Sequence, residues 1–366
     1  MVYFDETQDI LSGFLTETKS IFEHLLTEKF GGGQVQIVTS LDLGFPHDVI
    51  RLAGGFATGA YVHWDAKDPI IPVDTCVNDC AVSFFEIDKD IRYLFTQYYI
   101  SQFESRMANT AYKLNFHRGN HFILFVRSIK TGKYYLVLHS SANEFKDNYN
   151  GLYPAETNYV HECLKVYNDC GRYIRYLDGK AAELFWHIAD QLPAYNEARL
   201  EFIASVLLNH NANIVNSFTS HHYCMPTYNS VTMGGHVTKK DMEFPLLTLP
   251  GKNIFLIKYF AAKEKDLLLP NKGEFLTPHG LGKQDVLQPT ISIDTKLNTC
   301  ILDGYLYSIK WGESLRAHPT LKLRAFDREK VFSYMSLLYD FEITDEFVQL
   351  ASINNMGPKI WDTGSL

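Results

Sequence analysis

The stretch Pro278-His279-Gly280-Leu281-Gly282-Lys283 sets an imidazole between a proline and a glycine turn that ends in lysine. Backbone N–H groups of such a turn can face an anion. Four other places carry donor atoms: Asn78-Asp79-Cys80, Asn120-His121, His139 within Leu-His-Ser-Ser, and the pair His221-His222. Thiolate, imidazole and carboxylate together suit a borderline transition metal such as manganese or zinc, because each supplies a lone pair of intermediate softness. None of these residues has the short paired spacing that marks a metal site by itself, and each histidine taken singly also fits a hydrogen-bonded structural role. Cys80 read alone is a small apolar side chain. Lys239 and Lys240, in His-Val-Thr-Lys-Lys-Asp, offer their charge either to solvent or to a phosphate.

The elements that must position these groups are legible from periodicity. Residues 8 to 30 repeat apolar side chains at helical spacing and stop at Phe-Gly-Gly-Gly, which predicts an amphipathic helix. Runs at 35 to 40, 59 to 64 and 81 to 87 read as strands. The runs 121 to 129 and 133 to 141 flank Lys130-Thr131-Gly132 and predict a hairpin. Antiparallel pairing would bring His121, at the start of one run, beside His139, near the end of the other. Residues 177 to 208 are helical in composition, with Pro193 as a break or the first turn of a second helix. A further helix is expected near 328 to 340. No repeat, low-complexity tract or linker divides the 366 residues, so one compact α+β domain over 1–366 is expected.

Composition narrows the partners. The formal net charge is -8, which argues against a broad electrostatic coat of nucleic acid while permitting a local basic groove. The six cysteines form no regular framework and fit a reducing compartment. With no apolar run of membrane-spanning length, the expectation is a cytoplasmic protein with no signal peptide and no membrane contact.

The order of the pieces resembles the RtcB family of RNA ligases. It runs Ile70-Ile71-Pro72 leading to Val77-Asn78-Asp79-Cys80, Gly119-Asn120-His121-Phe122, Leu138-His139-Ser140-Ser141, Ala194-Tyr195-Asn196-Glu197-Ala198-Arg199, Ser220-His221-His222-Tyr223, His236 to Lys240, Leu249-Pro250-Gly251 and Pro278 to Lys283. The likeness covers residues 35 to 285. It implies an RtcB-like single domain of mixed β-sheets around a central metal cleft, flanked by helices.

The resemblance also implies a chemistry. His279 corresponds to the family histidine that takes GMP from GTP, in the presence of two manganese ions. Cys80 would lie between the ions, with His121, His139, His222 and a carboxylate completing the cage. Asp79 is preferred for that carboxylate, with Asn78 and Asp74 as alternatives. Asn120, Gly280 and Gly282 would meet the nucleotide, and Lys239, Lys240 and Lys283 the nucleotide or RNA phosphates. A 2',3'-cyclic phosphate end would open to a 3'-phosphate, receive GMP, and be joined to a 5'-hydroxyl end. The partners implied are such RNA ends, tRNA among them, and an accessory activator protein, in RNA repair or tRNA splicing.

The chain departs from the family pattern at several positions. Val77 stands at the family's aspartate spacing, Leu124 replaces a glutamate that reads guanine, and Tyr223 replaces an asparagine. Lys252 stands for a serine, and Lys283 for an arginine whose bidentate fork a lysine lacks. Asn143 falls where an arginine is expected, Asp42 stands near the place of an early histidine, and Lys359 is the candidate for a C-terminal lysine. A divergent member is implied, a viral one being one such case. Two other functions stay open: a metal-dependent phosphoesterase that opens cyclic phosphate ends, and a non-catalytic RNA-binding relative.

Overall fold

The computed structural model describes residues 4–116, 120–145, 152, 159–310 and 312–361, so Gly119 of the Gly-Asn-His-Phe run lies outside the described residues. Asp5 caps the first helix, Glu6–Phe30, by accepting from the Gln8 backbone N–H at 3.2 Å, and Gly31 ends it at φ 73°. That is the left-handed conformation a glycine adopts cheaply. The buried stripe includes Leu11, Phe22, Leu25 and Leu26, all fully buried, and each contributes about 2 kcal/mol of apolar burial. It packs on the strand Val35–Gly44, which pairs with Thr58–Trp64 and through it with Ser230–Met233.

An α+β architecture with many strands and few helices results. Its centre is an eight-stranded antiparallel sheet. The path runs Glu243–Leu246, Ile254–Ala262, Tyr339–Asn354, Phe122–Ser128, Tyr134–Ser140, Cys80–Ile87 and Ile214–Tyr223, with Gly357–Ile360 beside Tyr339–Asn354. The period of two sorts its side chains. Ala81, Phe85, Ile123, Phe125, Leu136 and Leu138 pack beneath the helix Gln97–Met107 and the C-terminal half of the helix Gly179–Leu208. Val82, Phe84, Leu124, Val126 and Val137 fill the opposite face with Leu247, Ile254 and Phe347.

The predicted hairpin forms with Phe122 opposite His139. The helix expected to break at Pro193 is instead continuous over Gly179–Leu208. Buried Ala182, Phe185 and Ala189 before the proline pack into the core shared with the first helix and the strands Ile70–Pro72 and Arg172–Asp178, and Leu200, Ile203 and Ala204 after it pack on the central sheet. Tertiary packing therefore outweighs the lost backbone bond. No helix among the described residues is long and apolar enough to cross a membrane.

Candidate metal centre

Four adjacent strands of the central sheet deliver their polar residues to one end. Cys80 opens its strand opposite Tyr223, Val82 lies opposite His139, and His139 opposite Phe122. Directly paired residues share a face, so Cys80, Phe122, Leu124 and His139 all point away from the helices. The long helix locks these ends. Asn196 Nδ2 donates to the Asp79 carbonyl at 2.7 Å and the Ser140 carbonyl at 3.2 Å. Arg199, fully buried, donates to Glu144 at 2.9 Å, Ser140 Oγ at 2.9 Å and the Lys113 carbonyl at 2.5 Å.

Donor atoms of Cys80, His139 and His222, all buried, lie within 4.8 Å of one another. His139 Nε2 is 3.1 Å from both Cys80 Sγ and His222 Nε2. His139 Nδ1 donates to the Asn120 carbonyl at 3.0 Å, which fixes the tautomer and turns the Nε2 lone pair toward the thiol. His121 follows the same rule: Nδ1 lies 3.3 Å from the Asn115 carbonyl and Nε2 3.6 Å from Cys80 Sγ. Burial first, and then the charge of His279, push His139 down to about 3 and hold His222 well below the ordinary histidine range. Both imidazoles are therefore neutral ligands at pH 7. A thiol and two neutral imidazoles converging in a buried site can hold a borderline divalent ion.

Asp79 is turned elsewhere. Its carboxylate accepts from His221 Nδ1 at 3.0 and 3.1 Å, and His221 Nε2 reaches Glu197 at 2.9 Å. Alternation explains this: His221 lies opposite Ala81, on the helix side, while its neighbour His222 turns to the cluster. Burial lowers the pKa of His221, but its bonds to Asp79 and Glu197 outweigh that and push it up to about 9. Asp74 is likewise committed, clamping Arg175 through contacts of 2.6 to 3.0 Å. The remaining alternative, Asn78, lines the small cavity shared with Cys80, His121 and His222, and its Oδ1 is buried without a hydrogen-bond partner among the described residues. A buried amide oxygen is thus available at this cavity from Asn78, while the Asp79 carboxylate is engaged by His221.

His279 leaves the strand Phe275–Pro278 and stacks on His222 at 4.3 Å with an interplanar angle of 18°. Its Nδ1 is engaged by the Asp42 carboxylate and lies 2.7 Å from the Gly234 carbonyl, and its backbone N–H donates to Asp42 at 3.3 Å. Asp42, fully buried, is in turn fixed by Ser40 Oγ. Nε2 is left with no hydrogen bond among the described residues. The turn that follows is pinned at Gly282, φ 68°, where a Cβ would run into the Asp42 carbonyl. Only glycine fits there.

A cavity of about 360 Å³ opens beside this histidine. Its walls include Asn120, Gly280, Gly282 and Lys283 with Phe122, Leu124 and Leu247. Lys239 instead pairs with Glu274 at 3.3 Å, and neither it nor Lys240 lines this cavity or the smaller one. Lys359 lies over Trp361 at 3.8 Å, also outside the cavity walls.

Of the residues missed as functional in the sequence, His47 left no motif, and Asn196 and Arg199 were noted only as part of a run. Their roles depend on long-range pairing. Set against models of known protein families and against the curated proteins, the chain finds no match in either.

Proposed function

We propose that the chain is a metal-dependent RNA-joining enzyme of the RtcB kind, in which His279 takes a nucleotide from GTP and passes it to a 3'-phosphate end. The observation that carries this reading is the setting of His279: Nδ1 engaged by Asp42, the ring stacked on His222, and Nε2 without a hydrogen-bond partner among the described residues. A ring nitrogen held this way is oriented for nucleophilic attack while the other ring nitrogen is tied to a carboxylate.

Cys80, His139 and His222 would hold the ion, with Asn78 and His121 beside them; manganese bound there would offset charge on the reacting phosphates. His279 Nε2 attacks the α-phosphorus of GTP, forming a nitrogen–phosphorus bond as the bond to pyrophosphate breaks. Asp42 stabilises the positive charge that the imidazole acquires. Asn120, Gly280 and Gly282, on the wall of the same cavity, orient the nucleotide, and Lys283 neutralises a phosphate. The 3'-phosphate then takes the nucleotide from Nε2. A 5'-hydroxyl end completes the joining, with release of GMP.

One observation favours a second reading. Leu124 stands in the cavity wall where the resemblance calls for a glutamate, and no aspartate or glutamate is among the described residues lining that cavity. A phosphoesterase that opens cyclic phosphate ends needs no guanine contact. The deciding experiment incubates the protein with manganese and each α-labelled nucleoside triphosphate in turn. An acid-labile label from GTP that His279→Ala prevents supports the ligase. Cyclic-phosphate opening without label moves the function to the phosphoesterase, and neither activity leaves a non-catalytic RNA-binding protein.

A further inference from the structure

Positive charge gathers at the mouth of the metal centre although the chain as a whole carries -8. The small cavity that touches Cys80, His222 and His279 is also lined by His47, Arg51 and Arg316, and His47 lines the larger cavity together with Lys283. No aspartate or glutamate is among the described residues lining either cavity. Arg51 lies over the Tyr223 ring, with Asp48 3.6 Å from its guanidinium. Lys283 makes no ion pair among the described residues. His47 Nδ1 is buried without a hydrogen-bond partner among the described residues.

This crowding is built by the backbone. The Leu315 N–H donates to the His47 carbonyl at 2.9 Å, and the Val49 N–H to the Glu313 carbonyl at 3.0 Å. These tethers seat the short turn Leu315–Ala317, and Arg316 within it, against residue 47. The Phe45 N–H donates to the Lys283 carbonyl at 3.1 Å and draws the end of the glycine turn to the same place. Cationic side chains gathered on the walls of these cavities, beside the imidazole of His47, form a site suited to an anion.

We propose that His47, Lys283 and Arg316 form a subsite for a phosphate monoester, placed so that a terminal phosphate bound there lies beside the Cys80–His139–His222 cluster and His279. The guanidinium supplies a fork for two phosphate oxygens, the ammonium a point charge, and the imidazole an N–H donor. The subsite adds to Lys283, which ends the glycine turn, two residues outside every motif of the resemblance, His47 and Arg316. The same chemistry is offered by the 3'-phosphorylated end of a strand and by the terminal phosphate of a nucleoside triphosphate. The inference rests on reading the adjoining centre as a phosphoryl-transfer site.

The test is calorimetric titration of manganese-loaded protein with a 3'-phosphorylated dinucleotide, its 3'-hydroxyl counterpart and a non-hydrolysable nucleoside triphosphate. The phosphorylated dinucleotide is expected to bind at least about tenfold more tightly than the hydroxyl form. His47→Gln and Arg316→Gln are each expected to shrink that gap about tenfold, with manganese content unchanged by elemental analysis. Because Arg316 is exposed, its substitution spares the fold. If the variants weaken only the triphosphate, the subsite stands and its occupant is the nucleotide. A gap that persists in both variants at normal metal content overturns the proposal. Failure of the ligase reading is separable: no His279-dependent label with an intact phosphate gap sinks ligation alone, whereas normal label with no phosphate preference sinks the subsite alone.

Discussion

The Asp42 carboxylate engages both the backbone N–H and the ring Nδ1 of His279, 237 residues away, and so holds the imidazole in one tautomer with Nε2 toward the cavity. Ser40 Oγ fixes the other carboxylate oxygen, so the aspartate has little freedom to adapt. Asp42→Asn keeps the shape but removes the charge that stabilises a substituted imidazole. Nucleotide labelling of His279 is expected to slow by about 100-fold or more, with metal content intact. Labelling at the wild-type rate would remove Asp42 from the mechanism.

The oxygen ligand is the second test. Asn78, at the cavity of Cys80 and His222, has a buried Oδ1 with no hydrogen-bond partner among the described residues, whereas the Asp79 carboxylate is taken by His221. Asn78→Ala is expected to weaken manganese binding about 10-fold or more, and Asp79→Asn to weaken it less. Equilibrium dialysis with elemental analysis reads both. The opposite ranking would return the ligand role to Asp79 and mean that its bond to His221 breaks when metal binds.

Sequence reasoning reached the donor residues more securely than their directions. Cys80, His121 and His139 come together because two hairpin-forming apolar runs and a third strand place them at one sheet end, a relation partly visible in the spacing of the runs. The directions of Asp79 and Asn78 were not legible, because the backbone turns left-handed at Asp79, φ 47°, just before the strand that opens at Cys80. Within a strand, neighbouring residues face opposite ways. The pair His221-His222 obeys the same rule. What periodicity could not convey is the contact of His47 with the turn near Arg316, or of Asp42 with His279, because closure of segments more than 200 residues apart leaves no local signal. The continuous helix through Pro193 was illegible for a related reason: its two halves are fixed by the two separate cores they pack into, not by their own propensity.

Arg199 tests how far the fold and the site are coupled. Its buried guanidinium ties Glu144, Ser140 Oγ and the Lys113 carbonyl together behind His139. Arg199→Ala removes the partner of a mostly buried carboxylate and empties a volume in the core. A loss of about 3 kcal/mol of stability is expected, read from urea denaturation midpoints at constant slope. Arg199→Lys recovers only part of it, because an ammonium lacks the broad fork by which the guanidinium reaches three acceptors. A variant within about 0.5 kcal/mol of wild type would show that the helix is held without this network.

Lys283 gives the site its pH dependence. Burial first, and then the neighbouring Arg316, lower its pKa to about 8. The other groups lining the same cavity are His47, His121, His139, His279 and Arg324, the last occupied by Asp5 and the Leu281 carbonyl. Burial and the charges of Lys283 and Arg51 hold His47 well below the ordinary range, so it stays neutral across the window that matters. Below pH 8 the ammonium is charged and available to a phosphate; above it the charge is lost, and affinity for a phosphate monoester falls by up to about tenfold per pH unit. The sign for stability is opposite. A lysine depressed when folded binds fewer protons than in the unfolded chain, whose lysines titrate near 10.4, so its contribution to stability grows as pH rises through 8 toward 10.4. Phosphate titrations from pH 7 to pH 9 should therefore weaken in the wild type while thermal stability does not fall in step. In Lys283→Gln the weakening should disappear. A pH profile for phosphate unchanged by that substitution would assign the titration to another group and remove Lys283 from the phosphate site.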